Sequence, residues 1–145
     1  MIRVCFDTNI FISAFLFSGK PAKIFDLSVD KKIILLTSPA ILAEVAKVLS
    51  EKFHQDEQTI KKQLKVISDV TQLVVPKKRI KLLRYQPDNL ILEAALEGQV
   101  NFIVIGDKKH LVPLKKFRDI RIVTPSQFLK IFENHVNLPT NRVVL

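Results

Sequence analysis

Four acidic residues, Asp7, Glu44, Asp88 and Asp107, stand where carboxylates could do chemistry. Asp7 directly follows an apolar run, residues 2–6. Asp107 follows a second run, residues 101–105, with only Gly106 between them. Asp88 opens the helical pattern that leads into that second run. Glu44 lies about one and a half turns into a helix behind a third run, residues 33–37. Its helical neighbours Ile41 and Val48 are apolar, which puts Glu44 at the border of a buried face. Each acid has an ordinary reading as well. Asp7 and Asp88 suit helix N-caps, Asp107 suits a loop, and Glu44 suits a border position with its stem packed and its head in water. The picture changes if the apolar runs are strands of one sheet, because all four acids then converge on one edge. Carboxylates held within a few ångströms repel one another and take up protons unless a cation compensates. An all-oxygen, carboxylate-rich set suits hard ions, meaning Mg²⁺, Mn²⁺ or Ca²⁺.

The elements that must position these acids follow from apolar periodicity. Residues 2–6 form a nearly continuous apolar strand, followed by Asp7-Thr8-Asn9 and a helix through about Phe17. Ser18-Gly19-Lys20-Pro21 breaks that helix, and residues 22–29 form a second, short one. Residues 33–37 are a strand. Ser38-Pro39 then supplies an N-cap and a proline at the first helical position. That helix runs to about Phe53 with Ile41, Leu42, Val45, Val48 and Leu49 on its apolar face. A polar helix from Asp56 to about Thr71 precedes a short strand, residues 73–75, ended by Pro76. Residues 89–97 are helical with Gly98 as the C-cap. Residues 101–105 and 120–123 are the last strands, and Thr124-Pro125 starts a helix carrying Phe128, Leu129, Ile131 and Phe132. Solid apolar strands alternating with helices predict an α/β fold, a parallel sheet covered on both faces. In such sheets ligands bind beyond the carboxyl ends of the strands, the edge on which the four acids fall.

The chain has 145 residues, 48% of them hydrophobic, with ten Phe. One domain over residues 1–134 accommodates this, with residues 135–145 as a C-terminal tail. No apolar run approaches the roughly 20 residues of a membrane-spanning helix, and residues 2–6 already read as a core strand in place of a signal peptide. Cys5 is the only cysteine, which predicts a small buried hydrophobe in a reduced, cytoplasmic protein. The three glycines, Gly19, Gly98 and Gly106, are too scattered for a GxGxxG or Walker-type loop, so no nucleotide cofactor is expected. No GxSxG elbow is present. His54, His110 and His135 lack zinc-ligand spacing. The formal net charge of +9 attracts polyanions, although solvated helix faces would also produce it.

Several segments resemble the motifs of the PIN-domain family. Asp7-Thr8-Asn9 followed by Ile10-Phe11-Ile12-Ser13-Ala14 is similar to its opening. Ser38-Pro39-Ala40-Ile41-Leu42-Ala43-Glu44-Val45 resembles the second motif, Asp88-Asn89-Leu90-Ile91-Leu92-Glu93-Ala94-Ala95 the third, and Val104-Ile105-Gly106-Asp107-Lys108-Lys109-His110-Leu111 the fourth. Val123-Thr124-Pro125-Ser126-Gln127-Phe128-Leu129 is similar to the usual closing helix. The likeness extends from Ile2 to about Phe132 and is nearest to the branch of toxins of toxin–antitoxin systems. It implies a Rossmann-like three-layer sandwich with a central parallel sheet of about five strands. It also implies cleavage of single-stranded RNA with Mg²⁺ or Mn²⁺, a homodimer, and an antitoxin partner. Carried over by residue, Asp7, Glu44, Asp88 and Asp107 become metal ligands and catalytic residues. Asn9 would steady the Asp7 carboxylate or a metal-bound water, a place that helix capping also explains, with Thr8 in support. Three departures stand out. Tyr85-Gln86-Pro87-Asp88 keeps only the last acid of the Asp-Pro-Asp-Asp often found in related sequences. Ile105 occupies a position that is often Thr or Ser, and Lys109 or His110 replaces a further acid. These imply one ion bound well and a second weakly, or a low activity.

The expected chemistry is metal-assisted hydrolysis of a phosphodiester. Lys81 and Arg84 before Asp88, and Lys108 and Lys109 after Asp107, would grip flanking phosphates without reading sequence. The alternatives are a PIN fold of weak catalysis serving RNA binding or protein assembly, a phosphotransfer domain with Asp7 as acceptor, and cleavage of DNA.

Overall fold

The computed structural model describes residues 1–81, 86–106 and 116–136, and of residues 86–88 the backbone alone. Strand β1 (Arg3–Phe6) is followed by helices α1 (Thr8–Leu16) and α2 (Lys20–Val29), then β2 (Ile34–Thr37), α3 (Pro39–Glu51) and α4 (Glu57–Val70). Next come β3 (Gln72–Leu73), α5 (Gln86–Gly98), β4 (Phe102–Val104), the β5–β6 hairpin (Lys116–Phe117 and Ile120–Val123) and α6 (Pro125–Val136). Among the described residues these strands form one six-stranded sheet of order β3-β2-β1-β4-β6-β5. All neighbours are parallel except β5 and β6. The fold is thus the expected α/β architecture, with one more strand than the five foreseen. The extra strand, β5, is an antiparallel edge of two residues.

Central strands of a parallel sheet are buried on both faces, and β1 shows the consequence. Val4, Cys5 and Phe6 are all fully buried, which is why that segment is apolar without alternation. The register pairs Cys5 with Leu36 on one side and with Ile103 on the other. Right-handed crossovers decide where the helices lie. The step from β1 to β2 and the step from β3 to β4 run in opposite directions across the sheet, so α1–α2 and α5 cover opposite faces. Packing of α2 on β2, and of α5 on β1, β2 and β4, agrees with this.

Helix ends are set by local chemistry. Ser38 caps α3 through Oγ, which accepts from the Ile41 N–H at 3.2 Å, ahead of Pro39. Asp56 caps α4, its Oδ1 accepting from the Thr59 N–H at 2.7 Å. Thr124 and Gln127 form a reciprocal capping box at α6. Gly98 closes α5 as expected, but the left-handed residue is Gln99, with φ of 50°. The Gln99 N–H donates to the Leu96 carbonyl and the Val100 N–H to the Ala95 carbonyl, a Schellman ending. Gly98 also lies close to β2: a Cβ there would stand 2.7 Å from Leu36 Cδ2, so that buried side chain would have to shift. Arg3 locks the same end, donating from its guanidinium to the Gly98 carbonyl at 2.7 and 3.0 Å.

Candidate active site

Strand order reverses at β1, whose two neighbours, β2 and β4, are reached by crossovers in opposite senses. Such a reversal leaves a crevice beyond the carboxyl ends of the strands. Asp7 sits at the head of this crevice, immediately after β1, and is buried. Its Oδ1 accepts from the Ile10 N–H at 2.8 Å and so caps α1. Its own N–H donates to the Val104 carbonyl of β4 at 3.1 Å. The capping role read from sequence is therefore present. Capping commits one face of the carboxylate and fixes the orientation of the group. Thr8 is the first residue of α1 and half-buried, and Asn9 is exposed on its first turn. The N-cap is Asp7, so capping no longer accounts for Asn9.

The exit from β4 comes to the same place. Gly106 lies against α1, where an added Cβ would stand 3.3 Å from Ile10 Cδ1. Ile10 is the residue whose N–H Asp7 binds. Two motifs separated by nearly the whole fold thus meet at one turn of helix. Asp107, Lys108, Lys109 and Arg84 lie outside the described residues.

Glu44 is carried by α3, which packs against both α1 and α5. The buried face of α3 is made by Ile41, Val45 and Leu49, and Glu44 beside them is half-buried. Its carboxylate makes no hydrogen bond or ion pair; among the described residues the ion pairs are Lys61–Glu57 and Lys65–Asp69 on α4. Asp88 is the third residue of α5, inside the helix and not its N-cap. Because α5 descends from the carboxyl edge of the sheet to enter β4, this first turn belongs to the crevice end. The fold therefore brings Asp7, Glu44 and the backbone of Asp88 to one edge. Among the described residues no three side chains form a metal-binding group, Asp88 and Asp107 being outside that search. The donor types themselves suit a hard cation, an oriented buried carboxylate on α1 and a half-buried one without a hydrogen bond on α3, the helix that packs against it.

A cavity of about 450 Å³, lined by residues including Met1, Asn101, Arg121 and His135, opens at the opposite, amino edge of the sheet. Its lining, which includes Phe102 of β4, Arg121 of β6 and Ile131 of α6, brings none of the four acids. Farther along α5 from Asp88, two carboxylates take roles that sequence reading did not assign. Glu93, buried on α5, accepts from the Ile80 N–H at 2.8 Å. Glu97 accepts from the Lys77 N–H at 3.1 Å. The available signal was the company Glu93 keeps, since Ile91, Leu92, Ala94 and Ala95 are all buried. Lys81, the remaining phosphate-binding candidate among the described residues, is exposed.

Comparison with known proteins agrees with this architecture. A solved chain of VapBC2 from Rickettsia felis, bound to a DNA fragment from their promoter, shares the fold with a TM-score of 0.58 and 13% identity. The match covers 83% of this chain and 97% of that one. An uncharacterized protein of Methanocaldococcus jannaschii is 35% identical over 149 residues, covering 94% of this chain and 95% of the relative. The model of the PIN domain matches residues 3–109, from β1 through the segment behind β4. PIN domains are generally nucleases, and those nucleases generally use divalent metal ions. With that match spanning most of its length and all four acidic positions, the chain belongs to the PIN-domain family.

Proposed function

We propose that the chain is an endoribonuclease that hydrolyses phosphodiester bonds of single-stranded RNA, with Mg²⁺ or Mn²⁺ held by Asp7, Glu44, Asp88 and Asp107. The observation that carries the reading is Asp7, a buried carboxylate oriented by its cap at the reversal of strand order. Family membership supports nuclease chemistry, and the net charge of +9 supports a polyanionic substrate. A divalent ion would supply Lewis acidity, activating water and offsetting charge on the phosphate. The chain's own contribution is to orient. Asp7 is fixed through Ile10, and Glu44 is fixed by the packing of α3 on α1 and α5. Thr8 and Asn9 flank Asp7 on the same turn, and Lys81, Arg84, Lys108 and Lys109 would hold flanking phosphates.

On the same reading residues 1–134 are the catalytic unit, acting in the cytoplasm as a homodimer and as the toxin of a toxin–antitoxin pair. Among the described residues no helix is long and apolar enough to cross a membrane. The test is incubation of end-labelled single-stranded RNA with the protein in Mg²⁺, in Mn²⁺ and in EDTA, beside Asp7→Asn. Cleavage that requires metal and disappears in the variant is the expected result. Equal traces from both proteins would leave the reading without support. They would favour the rival function, RNA binding or protein assembly on a PIN fold, for which the single acid in Tyr85-Gln86-Pro87-Asp88 speaks.

A further inference from the structure

The segment Lys77-Lys78-Arg79-Ile80-Lys81 places four cations within five residues, and all four are exposed. Loops of this composition ordinarily wave in solvent, yet this one is held at two points. Its Lys77 and Ile80 N–H groups donate to the carboxylates of Glu97 and Glu93 on α5, and Ile80 packs against the core. Both glutamates bind backbone amides, leaving the basic side chains uncompensated. None of the four cations makes an ion pair among the described residues. The order of the contacts gives a direction. Lys77 meets Glu97, and Ile80 meets Glu93 one turn earlier, so the segment runs antiparallel to α5, toward the end that carries Asp88. At about 1.5 Å per helical residue, Glu97 lies about 13 Å and Glu93 about 7 Å from Asp88 along the axis.

We propose, on the footing of the ribonuclease reading above, that residues 77–81 are a rail for the phosphodiester backbone of single-stranded RNA, leading the strand into the acidic site. The acids and a pinned, exposed row of cations divide the work. The rail attracts the polyanion without sequence preference, and α5 sets its distance from Asp88. Pinning matters because each flexible side chain or loop ordered on binding costs affinity. Here the backbone is already ordered.

The test is binding of labelled oligouridylate to metal-free protein in EDTA, followed as a function of salt. At about 0.7 in the log–log slope per phosphate contact on a single strand, the variant K77Q/K78Q/R79Q/K81Q is expected to lose about 3 from the slope. The charge-retaining variant K77R/K78R/R79K/K81R is expected to restore it. K61Q/K62Q/K65Q, on α4, should cost less than about 1. Circular dichroism confirms that all variants fold. A slope unchanged in the first variant, or an equal loss in the α4 variant, overturns the rail. So does tighter binding of polyglutamate than of oligouridylate at matched charge and salt, which would mark an acidic protein as the occupant. If wild-type protein still cleaves RNA with metal in any of these cases, the nuclease reading stands alone. If it neither binds nor cleaves, both fall.

Discussion

Replacing Asp7 separates its two roles, because asparagine keeps one and loses the other. The Asp7 Oδ1 accepts from the Ile10 N–H at 2.8 Å in a buried setting, a bond asparagine can also make. Alanine leaves that N–H only the carbonyl of residue 7, at 3.1 Å, and loss of such a side-chain cap costs about 1–2 kcal/mol. For asparagine the terms nearly cancel in metal-free protein. Losing a negative charge from the N-terminus of α1 costs about 0.3–1 kcal/mol. Removing the charge of a buried carboxylate recovers a similar amount or more. Asp7→Asn should therefore melt within about 1 kcal/mol of wild type in EDTA, and Asp7→Ala about 1–2 kcal/mol lower. Metal reverses the order. A ligand at one hundred times its Kd stabilises by about 2.7 kcal/mol. At about 3–4 °C per kcal/mol for a chain of this size, wild type should gain about 8–11 °C in Mn²⁺. The asparagine variant should gain a small fraction of that. Differential scanning fluorimetry in EDTA and across a Mn²⁺ titration measures both effects. Two results would refute the reasoning. One is an asparagine variant as unstable as alanine without metal, which would make the charge structural. The other is an asparagine variant with the full metal shift, which would remove Asp7 from the site.

Other expectations follow from packing and burial. Gly98→Ala gains about 1 kcal/mol of helix propensity but drives a Cβ to 2.7 Å from the fully buried Leu36. Overpacking of about 1–3 kcal/mol should win, giving net destabilisation in urea titration, and Leu36→Val should relieve it in the double variant. Thr37 Oγ1 is buried without a hydrogen-bond partner, so Thr37→Val should be neutral or stabilising by about 1–2 kcal/mol. A loss of comparable size would show that the hydroxyl is satisfied. Burial pushes the Cys5 thiol up to about 12, so it should resist thiol reagents until the protein unfolds. The same shift sets a sign. The unfolded chain releases the proton above about pH 9 and the folded one does not, so stability should fall by about 1.4 kcal/mol per pH unit from there. Cys5→Val should flatten that slope in urea titrations, and an unaltered slope would show that the thiol titrates alike in both states.

Periodicity in the sequence was enough for the α/β class, the strand-like runs and the starts of α1, α3, α4 and α6, whereas α2 and α5 begin at Lys20 and Gln86, two and three residues earlier than the pattern suggested. Each depends on residues close in the chain, such as Ser38-Pro39 ahead of α3 and Thr124-Pro125 ahead of α6. The buried character of β1 was legible for a related reason. A strand covered on both faces must be apolar throughout, and residues 2–6 are nearly so. The β5 edge was not legible, because Arg118 takes the left-handed turn conformation with φ of 55°, and no Gly or Asn announces the hairpin. Nor could local pattern assign the roles of Gly98 and Glu93. Gly98 is crowded by Leu36, from a distant strand, and Glu93, though buried, receives the backbone of residue 80. The acids divide in the same way. Types and spacing marked Asp7, Glu44, Asp88 and Asp107 as candidates, since a carboxylate behind an apolar strand is visible in one dimension. That α1 and the exit from β4 meet at Ile10, while α3 packs across both α1 and α5, was decided only by the order of strands and the hand of their crossovers. Those are properties of the folded chain, in which residues a hundred positions apart become neighbours.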